Sequence, residues 1–125
     1  MIQKIQIGFW AERRGDLSGL PWPGDRVDPM FEPEARRRVL AYLQREKFRG
    51  DAYKGVSSCR LCGMSNGSCD FTDGAYLWPE GYAHYIEQHN VMPERTFIAH
   101  VLTQPAEQLT MAEQIMAVIR TGSRR

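Results

Sequence analysis

Residues 59–89 read CRLCGMSNGSCDFTDGAYLWPEGYAHYIEQH, and within them Cys59, Cys62, His84 and His89 fall in a C-x2-C-x21-H-x4-H spacing. Two thiolates with two residues between them and two imidazoles with four between them match the ligand spacing of a tetrahedral zinc site. Nothing else in the chain carries comparable chemistry.

Cys59-Arg60-Leu61-Cys62-Gly63 has the form of a zinc knuckle, a tight turn that aims both sulfurs at one point, with Gly63 relieving backbone crowding. Asn66-Gly67 and Asp73-Gly74 are both two-residue hairpin signals, and they predict short strands over 68–72 and 75–78. Pro79 and Glu80 suit the first turn of a helix. That helix carries Tyr82, Ala83, His84, Tyr85, Ile86 and His89, and Asn90 and Pro93 end it. Knuckle, hairpin and helix in this order describe a treble-clef or ββα-like zinc core over 52–92. At about 100° per residue, His84 and His89 stand about 140° apart around an ideal helix. They converge only where the last turn loosens, which Asn90 and Pro93 allow.

Cys69 offers a second ligand set, Cys3His, from Cys59, Cys62, Cys69 and His84. Against it, Cys69 lies on a hairpin strand whose side chains alternate between faces, and a free cysteine often packs as a small apolar residue. A third reading has no metal and takes both histidines as ordinary helix residues. Redox chemistry would need the first cysteine at a helix N-terminus, but Gly63, Asn66 and Gly67 follow the CxxC. A zinc deaminase would place H-x-E before its C-x-x-C, the reverse of the order here. A catalytic zinc would keep an open position and a base such as Glu80 or Asp73. Those acids suit a helix start and a turn, so the expected site is closed and structural.

The 125 residues have the size of a single domain, 1–125. In the N-terminal part, 1–50, Ile5, Ile7 and Phe9 alternate as the buried face of a strand. A loop rich in proline and glycine surrounds Trp22. A helix then runs from Glu32-Pro33-Glu34 to about Lys47, with Val39, Leu40, Tyr42 and Leu43 as its apolar stripe and Gly50 beyond it. Residues 52–56 are extended. The C-terminal part, 93–120, holds a helix with Phe97, Ile98, Val101 and Leu102 on one face. His100 there reads as a packed core histidine. Thr110 and Glu113 form a capping box for a last helix, Met111 to about Arg120. The expected fold is α+β: a small antiparallel sheet and a zinc knuckle packed with three to four helices.

Leu, Ile, Val and Phe make up 26 residues, 21% of the chain, just above the level at which charged chains stay disordered. A structural zinc, with about 10–16 kcal/mol of apparent binding free energy, would offset so thin a core. No run of about 18 apolar residues occurs and the N-terminus lacks signal-peptide features, so a cytoplasmic protein that does not bind membranes is expected. Three cysteines in this pattern suit a reducing compartment.

The net charge of +1 hides a division. Residues 36–60 set eight basic side chains against Glu46 and Asp51, a net +6, whereas 65–115 set Arg95 against seven acids, a net −6. Such polarity steers charged partners and makes Arg49, Tyr53, Lys54 and Arg60 candidate nucleic-acid contacts. Equally, Arg36, Arg37, Arg38 and Arg45 read as the solvated face of a helix. Tyr76, Trp78, Tyr82 and Tyr85 could line a surface for a protein partner or fill the core. The leading expectation is a structural Cys2His2 zinc protein acting as an interaction module. A nucleic-acid-binding zinc module and a zinc-dependent enzyme are the alternatives.

The residues Gly55 to Gly63, Asn66-Gly67, Thr72-Asp73-Gly74, Trp78 to Tyr85 and His89 together resemble a group of small uncharacterised bacterial proteins sharing a CRxCG, TDG and WPEGxAHY pattern. The resemblance covers roughly residues 50–102 and, more weakly, the segment around Phe9. It implies a small zinc-site protein of bacterial, phage or mobile-element origin. The chain departs from the pattern at Cys69-Asp70-Phe71, where a small residue, Glu and Leu are expected, so the resemblance does not make Cys69 an obligatory ligand.

Overall fold

The segments on either side of the knuckle are strands. In the computed structural model, which describes residues 3–45 and 48–104 apart from the side chains of Tyr53 and Lys54, four strands lie in the order β1-β4-β3-β2. β2 (Arg49–Ser58) and β3 (Ser65–Thr72) are antiparallel, β4 (Tyr76–Pro79) is antiparallel to β3, and β1 (Ile5–Gln6) lies parallel to β4. The sheet expected to be wholly antiparallel is therefore mixed at one edge. A parallel pair needs a long crossover, and the chain between β1 and β4 supplies it with a loop, a helix and the β2–β3 hairpin. Three α-helices among the described residues, α1 (Pro33–Leu43), α2 (Tyr82–His89) and α3 (Arg95–Leu102), complete an α+β fold. The expected helix Met111–Arg120 lies outside the described residues.

α1 begins where its residues dictate. Pro33 occupies the first turn, and the Glu32 carboxylate accepts hydrogen bonds from the Glu34 and Ala35 amides at 3.1 and 2.7 Å, satisfying two of the amides that a helix start leaves unpaired. The helix ends at Leu43, short of the expected Lys47, with Gln44 as its C-cap. Residues 46 and 47 lie outside the described residues.

Of the two predicted hairpin turns, only one forms. Asp73-Gly74 turns β3 into β4, with Asp73 Oδ1 accepting from the amides of Ala75 and Tyr76 at 2.9 and 2.8 Å. Asn66-Gly67 lies inside β3, where Gly67 pairs with Ser57. The knuckle at 59–64 already closes the β2–β3 hairpin and leaves no call for a second turn. Gly67 answers a different need: its φ is +132° and a Cβ there would sit 2.7 Å from Glu80 Cβ. Gly67→Ala is expected to lower the urea midpoint by the equivalent of about 2 kcal/mol, and an unchanged midpoint would show that Glu80 yields freely.

Pro79 closes β4 rather than opening α2. It pairs with Asp70, and the Glu80 amide still donates to Cys69 O at 2.8 Å, so strand pairing delays the helix until Gly81 caps it.

The core is aromatic where it is poor in aliphatic residues. Trp10, Phe31, Tyr42, Phe71, Tyr76, Trp78, Tyr82, Tyr85 and Phe97 are all buried in one cluster with Ile7, Val39, Ile86 and Val101. Each large ring buries roughly 150–250 Å², which offsets the low aliphatic count. Tyr76, Trp78, Tyr82 and Tyr85 therefore fill the core and do not form a partner surface. Of the expected strand face, Ile7 is buried while Ile5 is 54% exposed, because β1 is an edge strand only two residues long. The arginines expected on a solvated helix face also divide. Arg45 is buried with its guanidinium 5.0 Å from the Tyr42 ring centre, and Arg36 reaches across to α2.

Candidate metal centre

β2 delivers Cys59 to a turn held by its own backbone. The Cys59 amide donates to Met64 O at 2.8 Å, the Gly63 amide to Cys59 O at 2.9 Å, and the Leu61 amide to Cys59 Sγ at 3.3 Å. Gly63 sits at φ +78°, a conformation that favours a residue without Cβ. The turn leaves Cys59 buried and Cys62 exposed.

α2 delivers the imidazoles, and its C-terminal end solves the problem of their angular separation. The Asn90 amide reaches back five residues to Tyr85 O, and the Val91 amide reaches the same carbonyl at 3.2 Å, whereas an α-helical bond spans four residues. Asn90 itself is left-handed, at φ +55°. From α1, the Arg36 guanidinium donates to Ile86 O at 3.1 Å and to Glu87 O at 2.6 Å, a cation placed on the terminal carbonyls of α2. The loosened and anchored end brings the His84 and His89 ring centres to 5.3 Å.

Four ligand atoms meet as a result. Cys59 Sγ lies 3.4 Å from His89 Nε2 and Cys62 Sγ lies 3.3 Å from His84 Nε2, and one ligand atom from each of the four residues falls within 4.8 Å of the others. Tetrahedral bonds of about 2.3 Å to sulfur and about 2.0–2.1 Å to nitrogen put neighbouring S and N atoms about 3.6 Å apart. The Cys2His2 group could thus hold a metal ion. Burial, and then the neighbouring His89, lower the pKa of His84, which favours the neutral imidazole that a metal requires. The Tyr85 hydroxyl accepts from the Arg60 amide at 2.6 Å, joining knuckle to helix directly. Burial foremost pushes its pKa up to about 12, so it stays a neutral phenol.

The other predicted residues are placed elsewhere. Cys69, the alternative ligand, is buried on β3 and lies outside the four-residue group. Its thiol donates to Glu80 Oε1 at 3.4 Å, and burial first, then Glu80, raise its pKa. Glu80 also accepts from the Ser68 amide at 2.8 Å, so it braces β3 instead of starting a helix. Asp73 stands at the far end of β3 from the knuckle, roughly 25 Å away along eight extended residues, too far to serve a metal at Cys59 as a base. Arg49 is exposed at the start of β2. The side chains of Tyr53 and Lys54 lie outside the described ones. Arg60 is half-buried, with Nη1 donating back to Ser58 O at 2.7 Å.

One cluster was hidden from sequence patterns. His100, read as a packed core histidine, places Nε2 2.8 Å from Asp73 Oδ2, which also accepts from the Tyr42 hydroxyl at 2.5 Å. The Asp73 side chain is 4% exposed and that of His100 28%. The three residues lie 27 and 31 positions apart along the chain, in α1, a turn and α3, with no local spacing to announce them.

No helix among the described residues is long and apolar enough to cross a membrane. Compared with known protein families, curated proteins and solved structures, the chain matches none.

Proposed function

We propose that Cys59, Cys62, His84 and His89 hold one zinc ion as a closed structural site that pins the knuckle to α2, and that the pinned fold serves as a small binding module. The observation that carries this reading is the mutual spacing of the two sulfurs and one ring nitrogen from each histidine, all within 4.8 Å. A mixed S2N2 tetrahedron selects zinc over harder cations. Four protein ligands leave no open position for a substrate, and the acids that could have served as a base are engaged in bracing β3 and the β3–β4 turn. The CRxCG and WPEGxAHY pattern adds the reading of a bacterial protein, and unpaired thiols suit a reducing cytoplasm. The basic segment gives less support to nucleic-acid binding, since Arg36, Arg45 and Arg60 are committed to packing and to backbone carbonyls.

Metal analysis of the purified chain together with thermal melts in chelator tests the reading. Roughly one zinc per chain and a melting midpoint that falls steeply with chelator are expected, because metal binding is folding free energy. Metal-free protein whose melting ignores chelator would sink it.

A further inference from the structure

The two sulfurs of the knuckle differ in their surroundings. Cys59 is buried, and its Sγ accepts a hydrogen bond from the Leu61 amide at 3.3 Å, which stabilises negative charge on that sulfur and makes it a poorer nucleophile. Cys62 is exposed, and its Sγ has His84 Nε2 at 3.3 Å as its one hydrogen-bonding neighbour among the described residues. A small oxidant arriving from solvent therefore meets Cys62 first.

A resolving thiol stands beside it. The Sγ atoms of Cys59 and Cys62 lie within 4.8 Å of each other, and only Arg60 and Leu61 separate the two residues in the chain, so movement of a single turn joins them. The third thiol does not compete, because Cys69 is buried on β3, outside the group, and donates to Glu80. Oxidation of a cysteine follows its thiolate character and its exposure, and sensor cysteines are often poised next to a resolving one. Metal coordination keeps a thiol deprotonated, which gives Cys62 the first property, and its place on the surface gives it the second. No helix N-terminus activates either sulfur, so the pair responds to oxidant and does not catalyse thiol exchange.

We propose that Cys62 is oxidised by hydrogen peroxide and that Cys59 converts the product into an intrachain disulfide, which opens the metal centre. The inference rests on the structural-zinc reading and adds a regulation of that site. The Cys62 thiolate attacks one oxygen of the peroxide: an S–O bond forms, the O–O bond breaks and hydroxide departs, so that Cys62 becomes a sulfenic acid. The Cys59 thiolate then attacks the Cys62 sulfur: the S–S bond forms, the S–O bond breaks and a second hydroxide departs. Two protons from solvent turn the hydroxides into water, and two electrons have passed from the sulfurs to the peroxide. Only His84 and His89 remain, too few ligands for a structural ion, and the knuckle loses its pin to α2.

The test treats the full chain, its zinc content measured beforehand, with hydrogen peroxide beside a chromogenic zinc indicator too weak to strip the untreated protein. Expected are release of roughly one zinc per chain and loss of the cooperative melt. The non-reduced mass should fall by two hydrogens, which peptide mapping places between Cys59 and Cys62. Dimedone added with the peroxide should label Cys62 alone, and dithiothreitol with zinc should restore the melt. Cys69→Ser, which keeps both reacting sulfurs, should behave in the same way. Zinc released with Cys62 as a sulfinic acid and no disulfide, a disulfide to Cys69, label on Cys59, or a Cys69→Ser protein that keeps its zinc under peroxide would each overturn the proposal. Protein that holds no zinc before peroxide is added sinks the structural-site reading and this inference together, whereas zinc-loaded protein that keeps its metal under peroxide sinks this inference alone.

Discussion

Cys59→Ser is expected to purify without stoichiometric metal and to lose its cooperative thermal transition, while Cys69→Ser keeps both. A structural zinc supplies about 10–16 kcal/mol of apparent binding free energy, as much as the whole net stability of a small domain, about 5–15 kcal/mol. Cys59 is the ligand with most to lose, because it is buried and because its backbone also closes the knuckle through Met64 and Gly63. Its neighbour in chemistry, Cys69, is equally buried but is held by Glu80, and losing that contact costs about 1–2 kcal/mol. Circular-dichroism melts with parallel metal analysis read both variants. If Cys69→Ser also sheds the metal, a Cys3His site is at work instead.

Asp73→Ala is expected to cost about 3 kcal/mol, or a fall of roughly 10–15 °C in Tm. One carboxylate receives the Tyr42 hydroxyl, His100 Nε2 and the amides of Ala75 and Tyr76. Its loss leaves a buried phenol without an acceptor and releases α3 from the β3–β4 turn. The same group gives a pH signature. Burial by itself would raise the pKa of Asp73, but the hydrogen bonds from Tyr42, the Tyr76 amide, His100 and the Ala75 amide outweigh it and hold the carboxyl below its ordinary 3.8. A depressed carboxyl pKa means that the folded state releases this proton more readily than the unfolded chain. Its stabilisation is therefore complete above about pH 4 to 5 and is lost as pH falls through the folded value. Denaturant midpoints from pH 6 down to 2 should drop less in Asp73→Asn than in the unmodified chain. Parallel curves for the two proteins would mean that Asp73 titrates normally.

The Cys2His2 group was legible because its chemistry is local: a CxxC turn with Gly63 and a histidine pair on one helix announce themselves by spacing. The strands and helices around them followed from period and capping residues, as Glu32 and Pro33 show at the start of α1. What failed were signals with two solutions. Asn66-Gly67 reads as a turn by composition, yet Gly67 is needed for the close approach of Glu80 inside a strand. Pro79 suits a first helical turn but suits the end of a strand equally, and pairing with Asp70 decides between them. The parallel position of β1, the burial of Arg45 and the Tyr42–Asp73–His100 cluster depend on contacts between distant segments. No window of sequence contains them.

X-ray absorption at the zinc edge of the purified full chain tests the central claim most directly. A closed Cys2His2 site predicts a shell of two sulfurs at about 2.3 Å and two nitrogens at about 2.0–2.1 Å. A shell of oxygen and nitrogen alone, or one with three sulfurs, would contradict it.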